Sequence, residues 1–507
     1  MESLPQILAR NARLLPDAIF ARHGGNSISY DRLFRRARRI ASVLAANGVR
    51  KGEPVGIFLP NGLPLINVYW GCQVLGAVAT PMSPMLRQTE ILNILKQTSM
   101  RVVFVDAGTL ALLENAPTAP DLVAIDVAAG SRFWTDLEAH DDCEVAEIGR
   151  QDVANVFFTS GTTGTPKGAM QTHFAQYSAL RDMMVFNRWR YGREVVYCAL
   201  PLTNNMACTC MMNLAMFAGG SLIVEERWET RRALDAIREH RATFMAGPPT
   251  VYVYMVNEFN PARDDISSLR LCIAGGAPVP TEIITRFEAL SGGRVAQGYG
   301  ATEVVSYVTA DPLVGERRVG SAGLPIGSTT ITILDDDGQP VGKGQVGEVC
   351  VDGDTVGSGY WGDAETSSSA FTPAGWLSGD IGRLDEDGYL YIMDRKKDLI
   401  ISGGFNIYPI EVENLLYAHP AVAMCAVVGL PDPIKGEIAV AVIQPKAGSR
   451  TTEDEFIAYC RDKVSAYKAP RRVMLVDSLP LSPIGKVLKR ELRTRLAAEN
   501  TNAEHSS

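Results

Sequence analysis

The stretch Phe158-Thr159-Ser160-Gly161-Thr162-Thr163-Gly164-Thr165-Pro166-Lys167-Gly168 gathers glycines, hydroxyls and one ammonium behind the apolar run Val156 to Phe158. Glycines let a backbone curl through positive φ and bring its N–H groups close to a ligand. Successive inward amides form an anion-binding nest, and each hydroxyl adds a donor. Lys167 supplies a compact positive charge suited to polyphosphate oxygens. The stretch is not a Walker loop, because Thr165 and Pro166 separate Gly164 from Lys167.

Further clusters of the same character follow in order along the chain. They are Gly275-Gly276-Ala277-Pro278, Gln297-Gly298-Tyr299-Gly300-Ala301-Thr302-Glu303, Ser378-Gly379-Asp380, Asp394-Arg395-Lys396-Lys397-Asp398 and Pro483-Ile484-Gly485-Lys486. A carboxylate such as Glu303 is a ligand for Mg²⁺, a hard cation that prefers oxygen. A tyrosine such as Tyr299 offers a ring for stacking and a polar tip. The run Gly357 to Gly362 is formally G-x-G-x-x-G. No strand–turn–helix unit frames it, so a dinucleotide-binding role is rejected.

The ordered set resembles the motifs of the adenylate-forming enzymes, a family that includes acyl-CoA synthetases, adenylation domains and beetle luciferases. The resemblance runs from the phosphate loop to near Arg493. It implies that residues 159–164 and Lys167 cradle ATP phosphates, and that Gln297–Gly300, with Gly275, Gly276 and Ala277, line the adenine side. Thr302 would reach the α-phosphate and Glu303 would hold Mg²⁺. Asp380 would accept from the ribose hydroxyls, in a motif usually written with Thr where this chain has Ser378. Arg395 would donate to the sugar or the phosphate. Lys486 would bridge the incoming carboxylate and the α-phosphate, offsetting charge in the transition state. Lys397 occupies the family's hinge position, and Gly403, Gly404 and Phe405 follow it as the side of a pantetheine channel.

The implied fold is α/β: a large N-terminal adenylation domain (residues 1–394) containing a β-rich region, plus a small mobile C-terminal α+β domain (395–507). The pattern of elements agrees. Leu33, Ala37, Ile40, Ala41 and Leu44 share one helical face between Tyr30 and Val49, and Gly48 ends that helix. Strands at Pro54–Pro60, Arg101–Asp106, Glu194–Leu200, Ser221–Glu225 and Leu269–Ala274 alternate with helices at Leu63–Gly76 and Thr230–His240. That alternation implies a parallel sheet, with ligands beyond the carboxyl ends of its strands. Short strands at Thr330–Leu334 and Gly347–Asp352 mark the β-rich region. The last hundred-odd residues read β-α-β-β-α-β, a ferredoxin-like split unit. Its strands are at 398–402, 421–429, 437–444 and 472–476, and its helices at 410–418 and 453–464. Thr452 and Glu455 form a capping box on the second helix.

The bulk numbers fit such an enzyme. The chain has 507 residues, with 46% hydrophobic, 21% charged and a net charge of −8. Its length predicts about two to four domains, and its acidity argues against nucleic acid as a partner. No uncharged apolar run approaches the roughly 20 residues that span a bilayer. The 9 cysteines and 6 histidines show no zinc-ligand spacing, so reduced thiols and a cytoplasmic location are expected.

One departure from the family pattern concerns the acid. Relatives usually read Pro-Leu-Phe-His where this chain has Pro201-Leu202-Thr203-Asn204-Asn205, so Asn204 replaces a histidine or aromatic. The following Met206, Cys208, Cys210, Met211 and Met212 are apolar and uncharged, a supple wall for an apolar guest or an ordinary buried helix. The expected activity is an ATP-, Mg²⁺- and coenzyme A-dependent ligase of a fatty or aryl monocarboxylic acid. The acceptor alternative is a carrier-protein phosphopantetheine, and the class alternative is a luciferase-like oxygenase.

Overall fold

The computed structural model describes residues 1–114, 122–128, 130–159, 166–276, 279–403, 405–481 and 487–504. The chain divides into two compact units. One comprises Met1–Ile331 with Cys350–Leu377, and the other Thr332–Val349 with Ser378–Ser507.

Two sheets lie wholly within the described residues of the first unit. In a six-stranded sheet the spatial order is Val123–Asp126, Val102–Val105, Pro54–Phe58, Val78–Pro81, Val153–Thr159, Lys167–Thr172. Strands Pro54–Phe58 and Val102–Val105 are buried at every position, as strands covered on both faces of a parallel sheet must be. The last two strands are antiparallel, and Thr159 faces Lys167 across the pair. In a nine-stranded sheet, Leu271–Gly275 lies between Phe244–Gly247 and Arg294–Gly300, all three parallel.

Helix Tyr30–Ala46 starts where the Ser29 side chain accepts from the Arg32 N–H, an N-cap that satisfies one of the first-turn donors. Its apolar stripe packs on the buried helix Leu63–Leu75. Gly71 makes the crossing close, since a Cβ there would lie 2.4 Å from a methyl of Ile40. Gly76 then takes φ +74 as the left-handed cap that ends the second helix.

The second unit shows the expected β-α-β-β-α-β order: Ile400–Ser402, Pro409–Tyr417, Val422–Asp432, Gly436–Pro445, Glu453–Lys463, Arg472–Leu475. Gly436–Pro445 pairs antiparallel with Val422–Asp432 and parallel with Arg472–Leu475. The Thr452–Glu455 capping box is present. Two elements are additions to the expected set. Phe405–Ile407 pairs back on Ile400–Ser402, and a helix spans Lys489–Glu504. Leu492 and Leu496 of that helix are buried against Ala426, Val428 and Val440, so its first two turns belong to the core of this unit.

Candidate active site

Strand Val153–Thr159 leads to the glycine- and hydroxyl-rich loop, and strand Lys167–Thr172 leads away from it. Ser160, Gly161, Thr162, Thr163, Gly164 and Thr165 lie outside the described residues, as do Ala277, Gly404 and Lys486. The two strands form the stem on which the loop is hung. Gly168 keeps that stem narrow, since a Cβ there would sit 2.8 Å from Val156 and 3.0 Å from the Phe158 ring.

Lys167 and Glu303 meet at Tyr360, a residue outside the motifs that the family resemblance assigns to the nucleotide. The Lys167 ammonium sits 5.2 Å from the centroid of the Tyr360 ring, and the Tyr360 hydroxyl donates to Glu303 Oε1 at 3.0 Å. Tyr360 belongs to the G-x-G-x-x-G run, which forms a strap rather than a nucleotide fold. Met170 N–H donates to Gly359 O, Trp361 N–H to Gly168 O, and Gly357 N–H to Glu303 O at 2.8 Å. Gly357 allows this approach, because a Cβ would meet Met170 O at 2.6 Å and Glu303 O at 2.9 Å. Burial, then the nearby Glu303 charge, pushes the Tyr360 phenol well above its ordinary range, so it remains a proton donor at neutral pH.

The residues expected on the adenine side converge at parallel strand ends. Gly275 and Gly298 are register partners. Gln297 accepts at Oε1 from Val279 N–H at 2.9 Å, which ties down the loop that follows Gly275 and Gly276. Gln297 N–H donates in turn to the buried Asp311 carboxylate. Gly300 permits the next bend, since a Cβ there would meet Ser306 O at 2.1 Å. Thr302–Val304 is a single 3₁₀ turn, and Val305 beyond it takes φ +67. Tyr299 is half-buried on this strand.

In the stretch expected to face the acid, Asn204 is the N-cap of a short helix, its Oδ1 accepting from Met206 N–H. Residues Cys208–Asn213 continue as a π-helix, a form often found at functional sites. Cys208, Met211 and Met212 are wholly buried in the main core, whereas Met206 is half-buried. A Cβ at Gly275 would lie 3.5 Å from the Met206 methyl and 3.6 Å from Gly298 O. Of the expected acyl-side residues, Met206 therefore stands beside the strand ends. Asn205 engages Gln171, Thr209 and Val305 through its amide. Burial pushes the Cys210 thiol up to about 12, so it stays protonated.

The second unit carries its own pair. Asp380, buried, receives the Arg395 guanidinium at 2.7 Å. The two residues are also register partners on adjacent strands. Asp394 receives Ile410 N–H at the start of helix Pro409–Tyr417. Lys397 lies exposed in the turn that Asp398 N–H and Leu399 N–H close on Arg395 O. Gly403 takes φ +58, and the exposed Phe405 stacks on Tyr467 with centroids 4.8 Å apart.

The character of the donor set bears on Mg²⁺. Among the described residues no group of three His, Cys, Asp or Glu side chains gathers to hold a metal. Glu303 is one oxygen donor, held by Tyr360, whose ring also faces the Lys167 ammonium. That arrangement fits an ion held mainly by phosphate and water, as Mg²⁺ prefers.

Family models match along both parts of the chain: AMP-binding enzyme over residues 8–361, and AMP-binding enzyme C-terminal domain over 411–486. The chain belongs to the AMP-binding enzyme family. It is 37% identical to a feruloyl-CoA synthase of Amycolatopsis over 96% of this chain and 97% of that protein. It is 34% identical to the long-chain-fatty-acid–CoA ligase FadD13 of Mycobacterium tuberculosis, covering 93% of each. Among solved structures, ATP-bound MatB from Rhodopseudomonas palustris superposes with a TM-score of 0.88 at 29% identity, over 98% of this chain and 99% of that one. The anthranilate CoA ligase AuaEII with anthranoyl-AMP also gives 0.88, at 26% identity over 98% of both chains. No described helix is long and apolar enough to cross a membrane.

Proposed function

We propose that this AMP-binding enzyme is an acid–thiol ligase that joins an apolar monocarboxylic acid to AMP and then to coenzyme A. The carboxylate attacks the α-phosphorus of ATP and pyrophosphate leaves; the thiol of coenzyme A then displaces AMP. Two anions repel on approach, so the residues must neutralise charge and hold the groups in line.

Lys167 and the hydroxyl-bearing loop take the phosphates, with the Tyr360 ring placing the ammonium. Glu303, oriented by the Tyr360 hydroxyl, holds Mg²⁺, which when bound neutralises charge on the phosphate oxygens. Thr302 presents its hydroxyl to the α-phosphate. Tyr299 and the Gly298 and Gly300 backbone receive adenine. Asp380, fixed by Arg395, accepts from the ribose. Lys486 offsets the charge that develops as carboxylate and α-phosphate join. Lys397 is the pivot about which the residues beyond it turn for the thioester step, with Gly403 to Phe405 flanking the thiol arm.

One observation carries the substrate class. The side chain beside the paired strand ends at Gly275 and Gly298 is a thioether, Met206, and residues Asn204–Phe217 carry no charge. An uncharged wall stabilises no second carboxylate and accommodates a deformable apolar body. Names among the relatives, feruloyl-CoA synthase and long-chain-fatty-acid–CoA ligase, support the aryl or fatty class. The co-substrates and the nine free cysteines fit a cytoplasmic enzyme.

The test is pyrophosphate release from ATP·Mg²⁺ with a panel of fatty, aryl and dicarboxylic acids, with coenzyme A or phosphopantetheinylated carrier protein as acceptor. An aryl or fatty acid with coenzyme A is expected to give the highest kcat/KM. A carrier-protein acceptor that outpaces coenzyme A selects the adenylation-domain alternative. Preference for a dicarboxylate overturns the pocket argument.

A further inference from the structure

Val305 sits in a backbone state that valine resists. Its φ is +67 and ψ −38, and Ser306 N–H donates to Val304 O at 2.7 Å across it. That is a γ-turn of the strained hand, and the residue at its centre is β-branched and fully buried. Strain of this kind persists only where the surroundings over-determine it, and it gathers at functional sites. Here it lies two residues beyond Glu303.

The surroundings that hold it are amides. Asn205 Nδ2 donates to Val305 O at 2.7 Å. Gln171 Nε2 donates to Thr302 O at 2.8 Å and to Asn205 Oδ1 at 2.9 Å. Thr209 Oγ1 donates to the same Asn205 oxygen at 2.9 Å, and Gln176 Nε2 to Gln171 Oε1 at 2.7 Å. These side chains are buried, so each bond lost leaves a stranded polar group. Both ends of the 302–305 turn are thus gripped by one network: Gln171 on the strand leaving the phosphate loop, Asn205 on the acid-side helix.

We propose that Asn205, with Gln171 behind it, is a positioning residue: it clamps the strained Val305 turn and so sets Thr302 and Glu303 for the nucleotide. It acts through the backbone rather than by touching the acid. Because Asn205 directly precedes Met206, the clamp joins the acid side to the nucleotide side. This rests on the ligase reading for its effect on rate, but the clamp itself is a statement about the turn.

The experiment compares wild type, Asn205→Ala, Val305→Gly and the double variant, reading ATP–pyrophosphate exchange, thermal midpoint and hydrogen–deuterium exchange of the peptide covering 302–306. Asn205→Ala is expected to lower kcat about 10²-fold, the size of an ångström-scale misplacement, and to deprotect that peptide. Glycine adopts positive φ freely. The double variant is therefore expected to recover at least about tenfold in kcat and to reprotect the peptide, while its midpoint falls below that of either single variant. A residue serving stability alone would move kcat and midpoint together, and that result overturns the proposal, as does unchanged exchange of 302–306 in Asn205→Ala. Where Asn205→Ala gives no folded protein, Gln171→Met, similar in length and lacking the amide, is measured in the same three ways, and the same results support or overturn the clamp. Absent exchange activity in wild type overturns the ligase reading instead, and deuterium uptake then decides on the clamp by itself.

Discussion

The Tyr360 hydroxyl donates to the Glu303 carboxylate at 3.0 Å, from a strap whose Gly357 N–H also holds the Glu303 carbonyl. Side chain and backbone of the proposed Mg²⁺ ligand are thus fixed from one short segment. A hydrogen bond to a charged acceptor contributes about 1.5–3 kcal/mol. Tyr360→Phe keeps the ring beside Lys167 and loses that bond. Titrating Mg²⁺ against adenylation rate is expected to show the half-saturating concentration rise roughly tenfold, with the thermal midpoint lowered by a few degrees. An unchanged Mg²⁺ requirement contradicts the role.

Gly357→Ala tests the strap itself. Its Cβ would press on two carbonyl oxygens, at 2.6 and 2.9 Å, so the segment must move away and take Tyr360 with it. The variant is expected to lose about 1–3 kcal/mol of stability and to reproduce the Mg²⁺ defect of Tyr360→Phe. Urea unfolding with Mg²⁺ titration checks both; a destabilised variant with normal Mg²⁺ dependence separates strap from site.

His173 predicts an acid-side loss of stability. Burial lowers its imidazole from an ordinary 6.5 to about 4, while Asp152 acts in the opposite sense. The folded state therefore keeps it neutral, and below about 6.5 the unfolded chain binds the proton first. Stability falls as pH drops from about 6.5 to about 4, by ~3 kcal/mol in all. Urea midpoints for wild type and His173→Phe across that window are the check, and the variant is expected to show the shallower slope.

How much of this is legible in sequence depends on range. Thr230–His240, Thr330–Leu334 and Gly347–Asp352 fall where their local periodicity and turn residues place them. The terminal helix escapes notice although Leu492 and Leu496 stand four apart, because its charged faces read as a tail. The site divides in the same way. Glu303, Tyr299 and Asp380 announce themselves through contiguous motifs. Gln171 and Val305 do not, and Tyr360 sits in a glycine run that reads only as a rejected dinucleotide motif, since the significance of all three lies in contacts tens to hundreds of residues away in sequence. Asn204 reads as a pocket residue in place of a histidine, whereas its side chain caps the helix that follows. A local signal, Asn before a helix, is there to find.

The two half-reactions should separate genetically. Lys397→Pro fixes φ at the proposed pivot and is expected to leave adenylate formation intact while slowing thioester formation about 10²-fold. Lys486→Ala is expected to do the reverse, sparing thioester formation from supplied acyl-adenylate and cutting adenylation about 10²–10³-fold. Rapid-quench assays of each half-reaction distinguish them, and equal losses in both steps contradict the division of labour.

The most direct measurement is product stoichiometry. Wild-type protein is incubated with ATP, Mg²⁺, coenzyme A and an aryl or long-chain monocarboxylic acid, and pyrophosphate, AMP and acyl-CoA are quantified together. One of each per turnover, with dicarboxylic acids left untouched, is the predicted result. Release of ADP and phosphate, or no pyrophosphate with any acid in the panel, would contradict it.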